Sequence, residues 1–197
     1  MKNRYPVFIA LLFCATAAAQ PERFYYPDAF YFVKEIKTEG LQERPFHLEI
    51  SVKENPADSF SRPRIYAVQV RKGKEDIIGK TLIYATVIDG DWKTYSIDGI
   101  VDKEATRIWF YIAVNGNGSF NFDNLKCSIA DINGTLVERD ISNYSFENKN
   151  LFAGYFISAR PSKDLIIQQS AEASEGKRSL QVITSRQKPG NNRIAKN

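Results

Sequence analysis

The chain has 197 residues, of which 25% are charged and 13% aromatic, with a formal net charge of +4, one histidine and two cysteines. That length allows one full domain and part of another, at ~100–150 residues per domain. Any Ser-His-Asp or Cys-His relay would have to use His47, the only histidine.

The N-terminus predicts export. Lys2 and Arg4 precede an apolar run from Val7 to Cys14, and Ala17-Ala18-Ala19 supplies small residues for cleavage. The run is too short to span a bilayer. Residues 1–19 are therefore expected to be a signal peptide, and the mature protein to be secreted, periplasmic or held at the outer cell surface. Cleavage removes Cys14 and leaves Cys127 without an intramolecular partner. Cleavage also takes Lys2 and Arg4 from the charge, lowering it from +4 to +2. The six basic residues from Lys177 onward have no acid among them, which leaves residues 20–176 with 19 bases against 23 acids. A nucleic-acid partner is not expected, since the positive charge is gathered in a tail and not on a folded face. Residues 186–197 carry little apolar content and are expected to be disordered.

Strands are predicted along most of the remainder. Phe46, Leu48, Ile50 and Val52 alternate with polar residues, the period of a half-buried strand. After a Pro-rich loop come Ile65–Val70, a charged turn at Lys72-Gly73-Lys74, and a strand over Leu82–Ile88 that ends at Asp89-Gly90-Asp91. Trp92–Ile97 is expected to pair with the segment that follows it. Ile108–Val114 is nearly all apolar and reads as a central strand covered on both faces. Asn115-Gly116-Asn117-Gly118 predicts a hairpin joining it to Ser119–Ile129. Helical signals are confined to Asp102–Ala105 and Ser170–Glu175, both short. The fold class expected is all-β, an antiparallel sandwich.

The strand from Ser119 to Ile129 has an irregularity. Phe120 and Phe122 share one parity, and Leu125, Cys127 and Ile129 share the other. If all five point inward, an extra residue must be accommodated near Asp123-Asn124, which is the trace of a β-bulge. An Asp at such a corner can cap backbone amides or bind a cation.

No catalytic constellation emerges. His47 lies on the polar parity of its strand and Cys127 on an inward one, and there is no G-x-S-x-G, H-E-x-x-H or P-loop. The chain is expected to be no enzyme in itself. Trp92, beside a turn, is the candidate ligand-binding residue, because an indole can stack on a sugar ring. Trp109, in the apolar strand, is expected in the core. Tyr25, Tyr26, Phe30, Tyr31 and Phe32 form an aromatic cluster expected to plug the edge of the sandwich.

Taken together, Trp92, Tyr95, the apolar strand, and Gly116-x-Gly118-x-Phe120-x-Phe122-Asp123-Asn124 resemble the closing half of galactose-binding-like jelly rolls, the sandwiches of many carbohydrate-binding modules. Asn143-x-x-Phe146-Glu147 and Gly176-Lys177-x-Ser179-Leu180 are similar to the opening half. Such modules stand N-terminal to secreted bacterial hydrolases, tail-specific serine peptidases and erythromycin-esterase-like proteins among them. The order here is inverted, with the closing half first. Two arrangements follow: a jelly-roll sandwich over residues 20–140 with the start of a second unit over 141–185, or permuted strands over 141–185 that complete the first. The resemblance also implies a structural calcium shared by Asp123 and Glu147, if permuted. It implies a non-catalytic accessory module that binds carbohydrate or positions a downstream hydrolase domain of a longer protein. The alternative is a structural or protein-interaction sandwich with no small ligand.

Overall fold

The computed structural model describes residues 30–71, 77–82, 85–157 and 164–185. The expected signal peptide, Tyr25, Tyr26, the Lys72-Gly73-Lys74 turn and the 186–197 tail lie outside these residues. Twelve strands are described: β1 (Phe30–Lys37), β2 (Pro45–Pro56), β3 (Arg62–Arg71), β4 (Ile77–Leu82), β5 (Ala85–Asp89), β6 (Trp92–Ile100), β7 (Ala105–Asn115), β8 (Gly118–Ala130), β9 (Leu136–Glu138), β10 (Tyr155–Ile157), β11 (Leu165–Ser170) and β12 (Ser179–Thr184). They form two antiparallel sheets, one in the order β10-β1-β7-β3-β4, the other β11-β12-β8-β2-β6-β5 with β9 also on β8. Among the described residues there is no helix, and hence none long and apolar enough to cross a membrane.

The alternating apolar residues explain the sandwich. Phe30, Phe32 and Ile36 of β1 and Ile108, Phe110, Ile112 and Val114 of β7 point from one sheet into a common core. They meet Phe46, Leu48, Ile50 and Val52 of β2 and the apolar set of β8 from the other. Phe32 and Phe122 touch across the layers edge to face, with ring centroids 5.4 Å apart. Phe30 and Phe32, from the expected edge plug, are thus fully buried core residues on a strand flanked by β10 and β7.

β8 contains the bulge. Asp123 pairs with Ser51 and Lys126 with Glu49, so Asn124 and Leu125 both stand opposite Ile50. Phe120, Phe122, Leu125, Cys127 and Ile129 are all fully buried as a result. Asn124 takes φ +50°, a left-handed conformation that asparagine tolerates better than most side chains. The amide of Leu125 is freed from the ladder and donates to the Tyr144 carbonyl at 3.0 Å.

Three strand expectations are corrected. Ile108–Val114 and Ser119–Ile129 do not form a hairpin: β7 lies in one sheet and β8 in the other, and residues 116–117 cross between them. The glycines serve that crossing. A Cβ on Gly116 would sit 2.2 Å from Ser61 Oγ, and one on Gly118 would sit 2.5 Å from the Asn55 carbonyl oxygen. β6 pairs with β2 and β5, not with the segment after it. The strand expected over Leu82–Ile88 is instead β4 ending at Leu82 in one sheet and β5 beginning at Ala85 in the other. Trp109 is likewise no core residue. It is half-buried on the outer face of its sheet, and its indole N–H donates to Glu35 at 3.2 Å.

Residues 141–185 run into both sheets. β10 pairs with β1 and β12 with β8, while Phe146, Leu165, Leu180 and Val182 join the common core. Lys34, directed inward from β1 and 6% exposed, fastens this segment. Its ammonium donates to the Ser142 carbonyl (3.0 Å), Ser142 Oγ (2.9 Å) and the Gly154 carbonyl (3.2 Å), and stands 4.5 Å from the Tyr155 ring centroid. Burial lowers the Lys34 pKa, against the pull of Asp140.

Replacing Asn124 by valine should cost about 1–2 kcal/mol of stability, because a β-branched residue resists positive φ. Asn124→Gly should stay within about 0.5 kcal/mol of wild type, the bulge conformation being natural to glycine. Urea unfolding of both variants measures the difference.

Candidate functional site

The polar face of the larger sheet carries a continuous row of side chains. Register places Gln168 of β11 beside Gln181 of β12, Gln181 beside Asn121 of β8, Asn121 beside Lys53 of β2, and Lys53 beside Trp92 of β6. In-register partners on adjacent strands share a face, so one row runs across five strands. The amides are already ordered among themselves: Gln168 Nε2 donates to Gln181 Oε1 at 2.7 Å, and Gln181 Nε2 to Ser119 Oγ at 3.1 Å. Asn121, 3% exposed, donates to Ser179 Oγ at 3.3 Å.

Over the middle of this row, at Gln181, Asn121 and Lys53, opens a groove of about 540 Å³, with Gln168 and Trp92 flanking it outside its lining. Strands supply Lys53, Glu54, Asn55, Ser119, Asn121 and Gln181. The turn before β6 adds Asp91, and the loop after β11 adds Glu172. Lys53 Nζ bridges the two loops, 3.2 Å from Asp91 Oδ2 and 3.4 Å from Glu172 Oε2. Trp92, half-buried, stands at the head of β6, opposite both Lys53 and Asp89. At the same end Glu54 accepts from Lys93 Nζ at 2.9 Å and from the Tyr95 hydroxyl, whose pKa burial and this carboxylate raise.

The two carboxylates expected to share calcium grip the loop that carries Glu172. Asp123, fully buried, accepts at Oδ2 from Ser174 N (2.8 Å), Ser174 Oγ (3.0 Å) and Glu175 N (3.0 Å), and at Oδ1 from Asn124 N (2.8 Å). Glu147 Oε1 accepts from Lys177 N at 2.6 Å and Arg178 N at 2.9 Å. Burial raises the Asp123 pKa, and the amide and hydroxyl bonds counter that in part. N–H groups aimed at Asp123 Oδ2 and Glu147 Oε1 would repel a cation there. As arranged, the pair does not fit a shared calcium. Among the described residues, no group of three or more His, Cys, Asp or Glu side chains could hold a metal ion.

Of the remaining motif residues, Gly176 belongs to the same loop, whereas Asn143 and Phe146 shape the corner that carries Glu147. Gly176 takes φ +76°, and a Cβ there would sit 2.6 Å from Glu147 Oε1. Asn143 takes φ +57°, and its side chain donates to the Leu151 carbonyl at 2.8 Å. Phe146 turns its ring into the core against Phe32, with centroids 5.9 Å apart. The spaced letters N-x-x-F-E and G-K-x-S-L thus meet where Glu147 caps the Lys177 and Arg178 amides. Sequence reasoning did not single out Lys53, Asn121, Gln181 and Glu172, because their shared face depends on how β2, β8 and β12 pair.

His47 and Cys127 are engaged elsewhere. His47 Nδ1 lies 2.6 Å from Asp98 Oδ1 and Nε2 lies 3.0 Å from Glu49 Oε1, so both ring nitrogens have carboxylate partners. Burial lowers the His47 pKa, but the bonds to Asp98 and Glu49 outweigh it, and the net direction is upward. Cys127 is fully buried, and burial pushes its thiol up to about 12, so the nucleophilic thiolate is scarce at neutral pH. No family model, curated protein or solved structure matches the chain.

Asp123→Ala should lower stability by about 1.5–3 kcal/mol, since it leaves charge-assisted donors of the loop unpaired. The loss should be equal in calcium and in chelator; thermal melts that diverge between the two would instead reveal a bound cation. The raised His47 pKa stabilises the fold below its ordinary value of 6.5, a contribution lost as pH rises through the folded-state value. Unfolding free energies at pH 5 and 9 should therefore fall more for wild type than for His47→Gln.

Proposed function

We propose that this chain is an exported, non-catalytic accessory module of galactose-binding-like jelly-roll type that binds glycan in the groove of its larger sheet. In this reading it serves a longer secreted hydrolase, holding that enzyme's catalytic domain near its substrate. One observation supports it above the others: the row Gln168–Gln181–Asn121–Lys53–Trp92 lies across a single open sheet face.

The chemistry of that row suits a polyhydroxylated ligand. Each planar amide offers donors and an acceptor, so it can meet a hydroxyl in either role. The side chains stand on paired strands and not on free loops, which reduces the ordering cost of binding. The groove's size, about 540 Å³, falls within the ~300–1,000 Å³ of small-ligand sites. Trp92, beside Lys53 and outside the groove's lining, adds a large amphipathic ring suited to stack on a sugar that extends past the groove. The engagement of His47 and Cys127 supports the absence of catalysis from the reading.

A second reading, a protein-interaction sandwich with no small ligand, draws on the exposed apolar side chains around the β8–β9 turn. Ile132 is 86%, Leu136 49% and Val137 42% exposed.

A glycan array probed with the purified protein separates the two. Binding to a defined set of oligosaccharides is expected, falling at least tenfold in Trp92→Ala while the melting temperature holds. Silence across the array would defeat the glycan reading and leave the interaction module.

A further inference from the structure

The charge of the groove determines which glycans it can admit, an inference that rests on the glycan reading above. Lys53 is the one cation among the described lining residues. Its ammonium already has two anionic partners, Asp91 Oδ2 at 3.2 Å and Glu172 Oε2 at 3.4 Å. These arrive from different elements, Asp91 from the β5–β6 turn and Glu172 from the loop capped by Asp123 and Glu147. Their side chains are 78% and 58% exposed, so both carboxylates face the solvent from which a ligand enters. Lys93 gives no help to an anion, since Glu54 holds it at 2.9 Å.

An anionic sugar therefore finds no unpaired cation among the lining residues. Its carboxylate or sulfate would have to displace Asp91 or Glu172 from Lys53 and then sit beside the displaced charge. Hydroxyl groups meet no such penalty, because Gln181, Ser119 and Asn55 offer neutral donors and acceptors along the same floor. We propose that the groove selects uncharged glycans, with Asp91 and Glu172 as the residues that turn away uronate and sulfated chains.

The test is calorimetric titration of the purified protein with neutral oligosaccharides (cello-, manno- and xylo-oligomers) and with oligogalacturonate of matched length. Low ionic strength is required, because the Debye length is only ~10 Å at 0.1 M salt. Wild type should bind at least one neutral series, and the uronate at least tenfold more weakly. The double variant Asp91→Asn, Glu172→Gln releases Lys53 and removes both repelling charges. The ratio of its affinity for the uronate to its affinity for the neutral oligomer should rise at least tenfold over the wild-type ratio. Equal wild-type binding of uronate and neutral chains, or no gain in the double variant, would overturn the charge selection and leave glycan binding standing. If no oligosaccharide of either kind binds, the glycan reading falls and this inference with it.

Discussion

The bulge opposite Ile50 is the constraint on which the rest of the molecule depends. Without the extra residue, Phe120 and Phe122 could not share a face with Leu125, Cys127 and Ile129, because side chains on a regular strand alternate. One half of the β8 core set would be turned to solvent. With it, all five are buried, and Asn124 takes a positive φ at the change of parity. The irregularity also releases the Leu125 amide to Tyr144, which anchors the chain at the start of the Asn143–Glu147 corner.

The bulge also sets Asp123 within reach of the loop after β11. A buried carboxylate needs partners, and here the partners are the Ser174 and Glu175 amides and the Ser174 hydroxyl. Glu147 holds the next turn of the same loop through Lys177 and Arg178. The loop so fixed brings Glu172 to Lys53, and Lys53 brings Asp91 and the β5–β6 turn. A chain of contacts thus runs from a packing irregularity in the core to the electrostatics of the groove. Each link is a single carboxylate or ammonium with its neighbours, and none is a broad surface.

How much of this was legible without coordinates depended on the range of the signal. Period-2 alternation located β2, and apolar runs between turn signals located β3, β6 and β7, to within a few residues, since burial is a local demand on each strand. The bulge was legible for the same reason: a parity clash within ten residues needs no partner to be noticed. The partners themselves were not legible. Asn115-Gly116-Asn117-Gly118 has the composition of a hairpin turn, yet it crosses between sheets, and positive φ is needed equally for both. Leu82–Ile88 read as one strand because both halves share strand composition, although they end in different sheets. Trp109 looked like core from its apolar neighbours, yet its parity on β7 turns it to the outer face, beside Glu35.

By itself the sequence determined the β class, the apolar faces of the main strands and the single irregularity in β8, because each follows from the order of large apolar side chains along a short stretch. It also marked Asp123, Glu147 and Gly176 as special, but not for what purpose. Tertiary structure decided that purpose. Two acids separated by 24 positions and a glycine further on are brought to one loop only when β8, β12 and the Asn143–Glu147 corner are in place. The polar row is of the same kind. Gln168, Gln181, Asn121, Lys53 and Trp92 come from five strands scattered along the chain, and hydrogen-bond register between strands is what puts them on one line.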